Sequence, residues 1–309
     1  MLKPLPLVVD LDGTLIYTDT FHEMILRLLY KRPWTVFLLP FWFLKGRAFT
    51  KTRLSQIVKI LPSSLPYNVA FLNFAKEEGK AGRPLILATG TPQKLAQDIA
   101  NHIGIFQEVI GSTEHVNMTG INKQNALLER FGHEGFDYAG DSKQDLHVWK
   151  VARRALIVCP KRRVLDQAQA IRKDDSISHF PRTTTPFHAL ILALRPLFWA
   201  INLCAFSLKD SLVLCLFTSG VFIVGDLVTL YSERSHASKT SVFAEGLLPL
   251  TTAFFLAPLL TFSSLIVWPE LFFYLPFFIA ADLLTRSLFP YLRWSLLACL
   301  QLIALLFFT

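Results

Sequence analysis

Cysteine is scarce in this chain. Four occur in 309 residues (Cys159, Cys204, Cys215 and Cys299), with neither paired nor metal-type spacing. A disulfide framework is therefore not expected, and three of the four lie in apolar runs, where a reduced thiol packs as a small hydrophobe. Charge is sparse too: charged side chains make up 17% of the sequence against 52% hydrophobic, too apolar for an ordinary soluble protein. No secretory leader is expected, because a strand-like run begins within a few residues of Met1. The front half is accordingly expected in the cytosol.

The apolarity is unevenly spread, and the length suits two domains. Residues 1 to about 186 read as globular and charged, whereas long apolar runs dominate from about 187 onward. The net charge of +8 sits largely beside apolar segments. That placement points to anionic lipid headgroups or phosphorylated substrates rather than nucleic acid.

The first half is organised around Val8-Val9-Asp10-Leu11-Asp12-Gly13-Thr14-Leu15. An apolar run, Leu5 to Val9, reads as a buried strand that ends in two carboxylates one residue apart. The Gly-Thr breaker lets both acids sit at the strand's carboxyl end, the edge where open parallel sheets bind ligands. Two unpaired acids there repel each other, so a bound cation is expected. Next, Pro84 to Pro92 reads as a second strand, ending Ala88-Thr89-Gly90-Thr91 ahead of a helix over Gln93 to Ile103. Thr89 would stand beside a helix N-terminus, an anion site, with Thr91 as the helix cap. Glu108 to Gly111 follows as a third strand. Lys123 then lies in the first turn of a helix running to about Phe131, against the dipole unless it faces an anion. Finally, Phe136-Asp137-Tyr138-Ala139-Gly140-Asp141 is a strand end, and Asp145 starts a helix. Ala155 to Val158 and Leu165 to Ile171 supply one more strand and a closing helix.

Singly, these features have structural readings: an Asp-Gly turn, turn hydroxyls, a surface lysine, a capping acid. In this order, over roughly 140 residues, they resemble the four motifs of the haloacid dehalogenase (HAD) superfamily. The resemblance implies an α/β, Rossmann-like parallel sheet with a helical cap over about 19–80, in a domain of 1–180. It implies Asp10 as a nucleophile forming an aspartyl-phosphate, with Asp12 as general acid and base. Thr89, Gly90, Lys123 and Gly13 would hold the phosphoryl group. Mg²⁺ would be held by Asp10, Asp12 (through its backbone carbonyl) and Asp141, with Asp145 acting through water or by orienting its neighbours. Within the cap, Pro33 to Leu44 is too short to span a bilayer. It is either a buried cap face or a segment in the membrane interface, with Lys31, Arg32, Lys45 and Arg47 on headgroups.

After a polar stretch from Arg172 to about Pro186, five spans are expected at about 188–206, 211–231, 246–267, 270–287 and 291–308. With the first domain inside, inner loops carry Arg234, Lys239, Arg286 and Arg293, and outer loops Lys209 alone, as the positive-inside rule asks. The expectation is a multi-pass membrane protein, such as one of a bacterial inner membrane. Ala193 to Asn202 resembles the first span of the UbiA superfamily of polyprenyl transferases. Gly225-Asp226-Leu227-Val228-Thr229 with Glu233 resembles that family's first acidic motif, and Ala244-Glu245-Gly246 the opening of its next helix. The motif is depleted: Gly225 and Thr229 replace an Asn and an Asp, leaving Asp226 and Glu233 as candidates. The combined expectation is a membrane-anchored, Mg²⁺-dependent phosphatase acting on a prenyl phosphate or prenyl-linked phosphosugar. The alternatives are a prenyl transferase with an auxiliary HAD domain, or a non-catalytic scaffold.

Overall fold

The computed structural model describes residues 4–171, 177–182, 184–196, 199, 200, 202, 203, 207–235 and 241–288. The chain divides into two compact units, Met1–Thr183 and Thr184–Thr309.

In the first unit the strands are β1 (Leu7–Val9), β2 (Leu85–Pro92), β3 (Glu108–Ser112), β4 (Asp137–Gly140), β5 (Arg154–Val158) and β6 (Ile177–Phe180). All pair in parallel, in the order β3-β2-β1-β4-β5-β6. Leu7, Val9, Leu85, Leu87, Leu156 and Val158 bury in one core, and Val8, Ile86, Tyr138, Ala155 and Ile157 in another. That alternation is the period-two pattern of a sheet covered on both faces. Helices α4 (Val69–Lys80) and α5 (Gln93–Ile103) join the first core through Phe71 and Ile99. On the other side lie α6 (Ile121–Phe131), α7 (Leu146–Trp149) and α8 (Arg162–Ile171), through Leu127, Trp149 and Val164.

Between β1 and α4 comes a helical insert: α1 (Thr20–Lys31), a 3-10 segment (Pro33–Leu38), α2 (Leu39–Leu44) and α3 (Arg47–Ile57). Asp19 starts α1 by accepting from the Phe21 N–H at 2.8 Å. The insert's helices share the first core with α4, which leads straight to β2: Met24, Leu39 and Leu54 bury beside Phe71. The insert's apolar run is not a buried cap face: Trp34, Phe37, Phe41 and Leu44 are exposed. The polar stretch after Arg172 also contains a strand, β6. As a half-buried edge strand with Ser178 and His179 between its apolar ends, it has a linker's composition.

At the opposite end of the sheet, Asp137 is fully buried at the start of β4. It accepts from Arg153 Nε and Nη2 at 2.8 and 2.7 Å and from Arg83 Nη2, while Arg83 Nε donates to the Leu5 carbonyl at 2.8 Å. Burial would raise the Asp137 carboxyl, but the bonds from Arg153 and Arg83 outweigh it and hold the group below its ordinary value.

In the second unit the described helices are α9 (Pro186–Leu194), α10 (Leu208–Ser235), α11 (Leu250–Val267) and α12 (Leu271–Leu288). Only α10 and α11 among the described residues are long and apolar enough to cross a membrane. The span expected at 188–206 is not one helix: α9 stops at Arg195, whose φ is 53°. Ala244-Glu245-Gly246 lies in turns, and α11 starts at Leu250 after Pro249. The fifth expected span, 291–308, lies outside the described residues.

Asp137→Ala should cost ~1–3 kcal/mol, because it leaves Arg83 Nη2 without its buried acceptor while Glu78 and the Leu5 carbonyl still hold the rest of the guanidinium. Hydrogen exchange over β4 in the full chain measures this as lost protection. Because the folded carboxyl is depressed, its contribution is present above about pH 4 and is lost as pH falls through the folded value.

Candidate active site

The site forms where the chain reverses direction across the sheet. From β1 it runs outward through β2 and β3, then returns to place β4 on the other side of β1. Helix connections diverge at such a switch point and leave a crevice at the strands' carboxyl ends. Asp10 follows β1 and Asp141 follows β4. The Asp10 N–H still donates to the Ala139 carbonyl, at 2.9 Å, so the first acid is held in sheet register. Beyond it the chain turns tightly, with the Leu15 and Ile16 amides both donating to the Leu11 carbonyl. Gly13, at φ 77°, is required in this turn: a Cβ there would lie 2.2 Å from Asp141 Oδ2. Its absent side chain thus makes room for Asp141.

Carboxylate oxygens of Asp10, Asp141 and Asp145 all lie within 4.8 Å of one another. Asp145 is the organiser of the three. Its Oδ2 accepts from the Asp141 and Ser142 amides at 3.3 and 3.0 Å and from Ser142 Oγ at 2.7 Å. Its Oδ1 accepts from the Tyr138 hydroxyl at 2.6 Å. The Ser142–Asp145 exchange is a capping box that opens a short 3-10 turn, so capping and site-building are one arrangement. Lys123, buried in the first turn of α6, reaches Asp10 Oδ1 at 3.0 Å and donates to the Tyr138 hydroxyl at 2.7 Å.

Asp12 stands apart from this trio. Its carboxylate accepts from the Thr20 N–H at 2.8 Å and from the hydroxyls of Thr20 and Thr91, each at 3.2 Å. Thr91 is therefore not the α5 cap: Pro92 holds that position without a side-chain bond, and the Thr91 hydroxyl serves Asp12 instead. Thr89 is fully buried, and its Oγ1 accepts from the Thr91 N–H at 3.1 Å. The Gly90 carbonyl accepts from Ser112 Oγ and from Lys51 Nζ, both at 2.9 Å, and Lys51 comes from α3 of the insert. Asn68 Nδ2 steadies the first loop by donating to the Thr14 carbonyl at 3.2 Å.

Burial and the charge of Asp145 push the Asp10 carboxyl up to about 6, against the pull of Lys123. Burial, then the charge of Asp19, pushes Asp12 to about 7, against Lys51. Asp141 is raised well above its ordinary value by burial and by Asp145, Asp10 and Asp12. Burial alone would lower the Lys123 ammonium, but Asp10 and Asp145 outweigh it and the net shift is upward. Three carboxylates thus face one ammonium. Such a set of hard oxygen donors, short of positive charge, fits Mg²⁺. Asp10 and Asp141 would hold it, with Asp145 fixing their loop; the Asp12 carboxylate is turned elsewhere.

The acids of the second unit are also buried, but with cations already in place. Arg286 Nη1 lies 2.8 Å from Asp226 Oδ1 and 3.1 Å from Glu233 Oε1, and its Nε lies 2.7 Å from Asp282 Oδ2. Arg195 pairs with Asp226 as well. Asp226 and Glu233 are brought together around guanidinium groups, which leave Asp226 Oδ2 and Glu233 Oε2 without a hydrogen-bond partner among the described residues.

Thr20, Lys51 and Tyr138 escape a reading of the sequence. Tyr138 had a signal, since period two puts it on the same strand face as Gly140, beside the motif. Lys51 had none, because only the fold of the insert brings it to Gly90.

No protein-family model matches this chain. It is similar to the uncharacterized protein y4nM of Sinorhizobium fredii (strain NBRC 101917 / NGR234), at 32% identity over an alignment of 259 residues that covers 77% of this chain and 49% of that protein. The chain thus spans about half the length of the curated relative it matches. Among solved structures, it is similar to a protein with unknown function from Bordetella pertussis Tohama I (TM-score 0.45, 16% identity, covering 58% of this chain and 98% of that one). It is also similar to a phosphoserine phosphatase in a phospho-aspartyl intermediate analogue form (TM-score 0.40, 16% identity, 58% and 94% covered). A phosphoserine phosphatase in apo form gives a TM-score of 0.42 at 15% identity, with 62% and 98% covered.

Asp141→Asn should have two opposite effects. A carboxyl whose folded value is raised costs stability as pH climbs above its unfolded value. The metal-free variant should therefore melt above the native chain at pH 8, by on the order of 3 °C for each kcal/mol regained, with the gap closing toward pH 4. Millimolar Mg²⁺ should raise the melting temperature of the native chain but not that of the variant.

Proposed function

We propose that the first unit hydrolyses phosphomonoesters through an aspartyl-phosphate on Asp10, with Mg²⁺ as cofactor. The observation that carries this reading is the division of labour between two neighbouring acids. Asp10 shares a charged crevice with Lys123 and Asp141, whereas Asp12 sits beside it on hydroxyls, its carboxyl raised to about 7. A group titrating near neutrality is suited to give and take a proton.

In the first half-reaction an Asp10 oxygen attacks phosphorus, the ester P–O bond breaks, and Asp12 gives its proton to the departing alkoxide. In the second, water attacks the acyl phosphate, Asp12 takes the water's proton, and the Asp10 carboxylate leaves. Inorganic phosphate and free enzyme result. Bound Mg²⁺ would offset the negative charge of the phosphoryl group. Lys123 does the same from the protein side while holding Asp10 in place. Thr20 and Thr91 fix the direction of the Asp12 carboxylate, and Thr89 and Gly90 border the space for the phosphoryl group.

The second unit is read as the membrane anchor of a multi-pass protein, with the first unit on the cytoplasmic side. Helix α11 supports this by being apolar nearly all round, with small residues inward and large ones outward. On α11 the inward face is Leu250, Ala253, Ala257, Thr261 and Ser264, while Phe255 (76% exposed), Leu259, Phe262 and Ile266 (81%) face outward. Small residues let α10 and α11 approach closely: a Cβ on Gly220 would lie 2.4 Å from Thr261 Oγ1 and 3.1 Å from the Ala257 carbonyl. Water does not favour that arrangement, but lipid does. A phosphatase held at a bilayer suits a phosphorylated lipid, such as a prenyl phosphate or a prenyl-linked phosphosugar. The resemblance of the second unit to UbiA-type spans supports the same class. Prenyl transfer by this chain is less favoured, because the acidic motif is reduced to Asp226 and Glu233, both of them paired with arginine.

The test is phosphate release by the full chain in detergent, with an aryl phosphate and a prenyl phosphate as substrates. Release should require Mg²⁺, stop on chelation and vanish in Asp10→Asn. Asp12→Asn should lower kcat by ~10²–10⁴-fold. Undiminished release by Asp10→Asn would exclude the nucleophile, and equal turnover of both substrates would exclude the lipid preference.

A further inference from the structure

Residues 33–44 turn their apolar side chains outward. Leu39 is buried, and Val36 and Trp42 pack partly against the core, which fixes the inner side of this tip. Trp34 (81% exposed), Phe37 (66%), Phe41 (65%) and Leu44 (85%) stand on the other side. Steps of three and four residues place them in one stripe along a helical segment. The Trp34 and Phe37 rings stack at 6.4 Å, so the stripe begins as a continuous surface. An apolar patch of this kind, rimmed by polar residues, marks an interaction site.

Charge identifies what covers it. Lys31 and Arg32 at one end, and Lys45 and Arg47 at the other, are all exposed. Between Glu23 and Glu77 the sequence has nine basic residues and no acidic one. Two such tips from separate copies of this chain would repel each other. An apolar stripe with cations at both ends complements a bilayer interface, where acyl chains take the stripe and anionic headgroups take the cations.

We propose that this tip inserts, lying in the membrane plane, into the headgroup region of an anionic bilayer. It is a second attachment, separate from the helices of the second unit, and it rests on the reading of the chain as membrane-associated. Its consequence concerns substrate. The tip continues through Gly46 into α3, whose Lys51 bonds the Gly90 carbonyl at the candidate active site. Docking of the tip holds the insert, and with it the mouth of the site, against the lipid surface.

The experiment uses the full chain with Cys159, Cys204, Cys215 and Cys299 replaced by Ala, retaining Mg²⁺-dependent phosphate release as the check of folding. A polarity-sensitive fluorophore is attached through Phe37→Cys or, as a control, through Gln97→Cys on the exposed side of α5. The chain is reconstituted in phosphatidylcholine–phosphatidylglycerol vesicles carrying acyl-chain nitroxides. The label at 37 should lose about half its emission or more, as expected for a site buried ~5–10 Å into the interface, and the label at 97 should lose none. Replacing Lys31, Arg32, Lys45 and Arg47 by Gln, or omitting phosphatidylglycerol, should reduce the quenching at 37. Equal emission from the two labels would overturn the proposal. So would a label at 37 that is shielded from aqueous iodide yet untouched by the nitroxides, the result expected if a second copy or a protein partner covers the tip. Undiminished quenching without phosphatidylglycerol would overturn the role of charge. Flotation separates the failures: a chain that floats with vesicles and releases phosphate while its label at 37 is unquenched refutes the tip alone. A chain that does not float refutes the membrane reading with it.

Discussion

The first unit is built around an unfavourable contact: three carboxylates, the buried Asp10 and Asp145 and the half-buried Asp141, crowded at one sheet edge beside a single ammonium. Like charges at this distance raise each other's proton affinity, and burial adds to the effect. The surrounding structure keeps them together. Parallel pairing of β1 with β4 fixes the stems of Asp10 and Asp141. Gly13 lets the two loops approach, and Asp145 spends its Oδ2 on tying down the loop that carries Asp141. At the far end of the same strands, Asp137 does the reverse, with two arginines satisfying one acid. One end of β4 is thus a stabilising anchor and the other a site for a cation and a phosphoryl group.

The second unit buries charge under a different rule. Asp226, Glu233 and Asp282 gather around Arg286, and Arg195 adds a second cation, so three carboxylates face two guanidinium groups. Ionised groups this deep between apolar helices persist only when paired. The depleted acidic motif is thus part of a packed cluster of acids and arginines. Gly225 is part of it, since a Cβ there would lie 1.9 Å from Asp282 Oδ2. The glycine that departs from the resembled motif is the residue that lets α12 bring its acid and its arginine in.

Much of the first unit was legible because its signals are local. Buried strands that end in Asp, Thr-Gly or Gly-Asp carry their own punctuation, and Lys123 stood out by opposing a helix dipole. What escaped was decided by tertiary contact. Strand β6 has no apolar alternation to reveal it. Thr91 read as a cap because it precedes a helix, yet Asp12, 79 positions earlier, claims its hydroxyl. In the second half, hydropathy located apolar runs well but could not show that Arg195 interrupts the first of them. Nor does hydropathy record where side chains point, which is why the outward face of residues 33–44 became clear only with the fold.

The central claim is a covalent bond, and the most direct measurement looks for it. The full chain is mixed with substrate and Mg²⁺, quenched in acid, reduced with borohydride and mapped by mass spectrometry. An aspartyl-phosphate at the nucleophile is converted to homoserine at that position alone. The account predicts homoserine at position 10 and an unmodified Asp12. Brisk phosphate release with Asp10 unmodified in every quenched sample, or with homoserine at another acid, would contradict it.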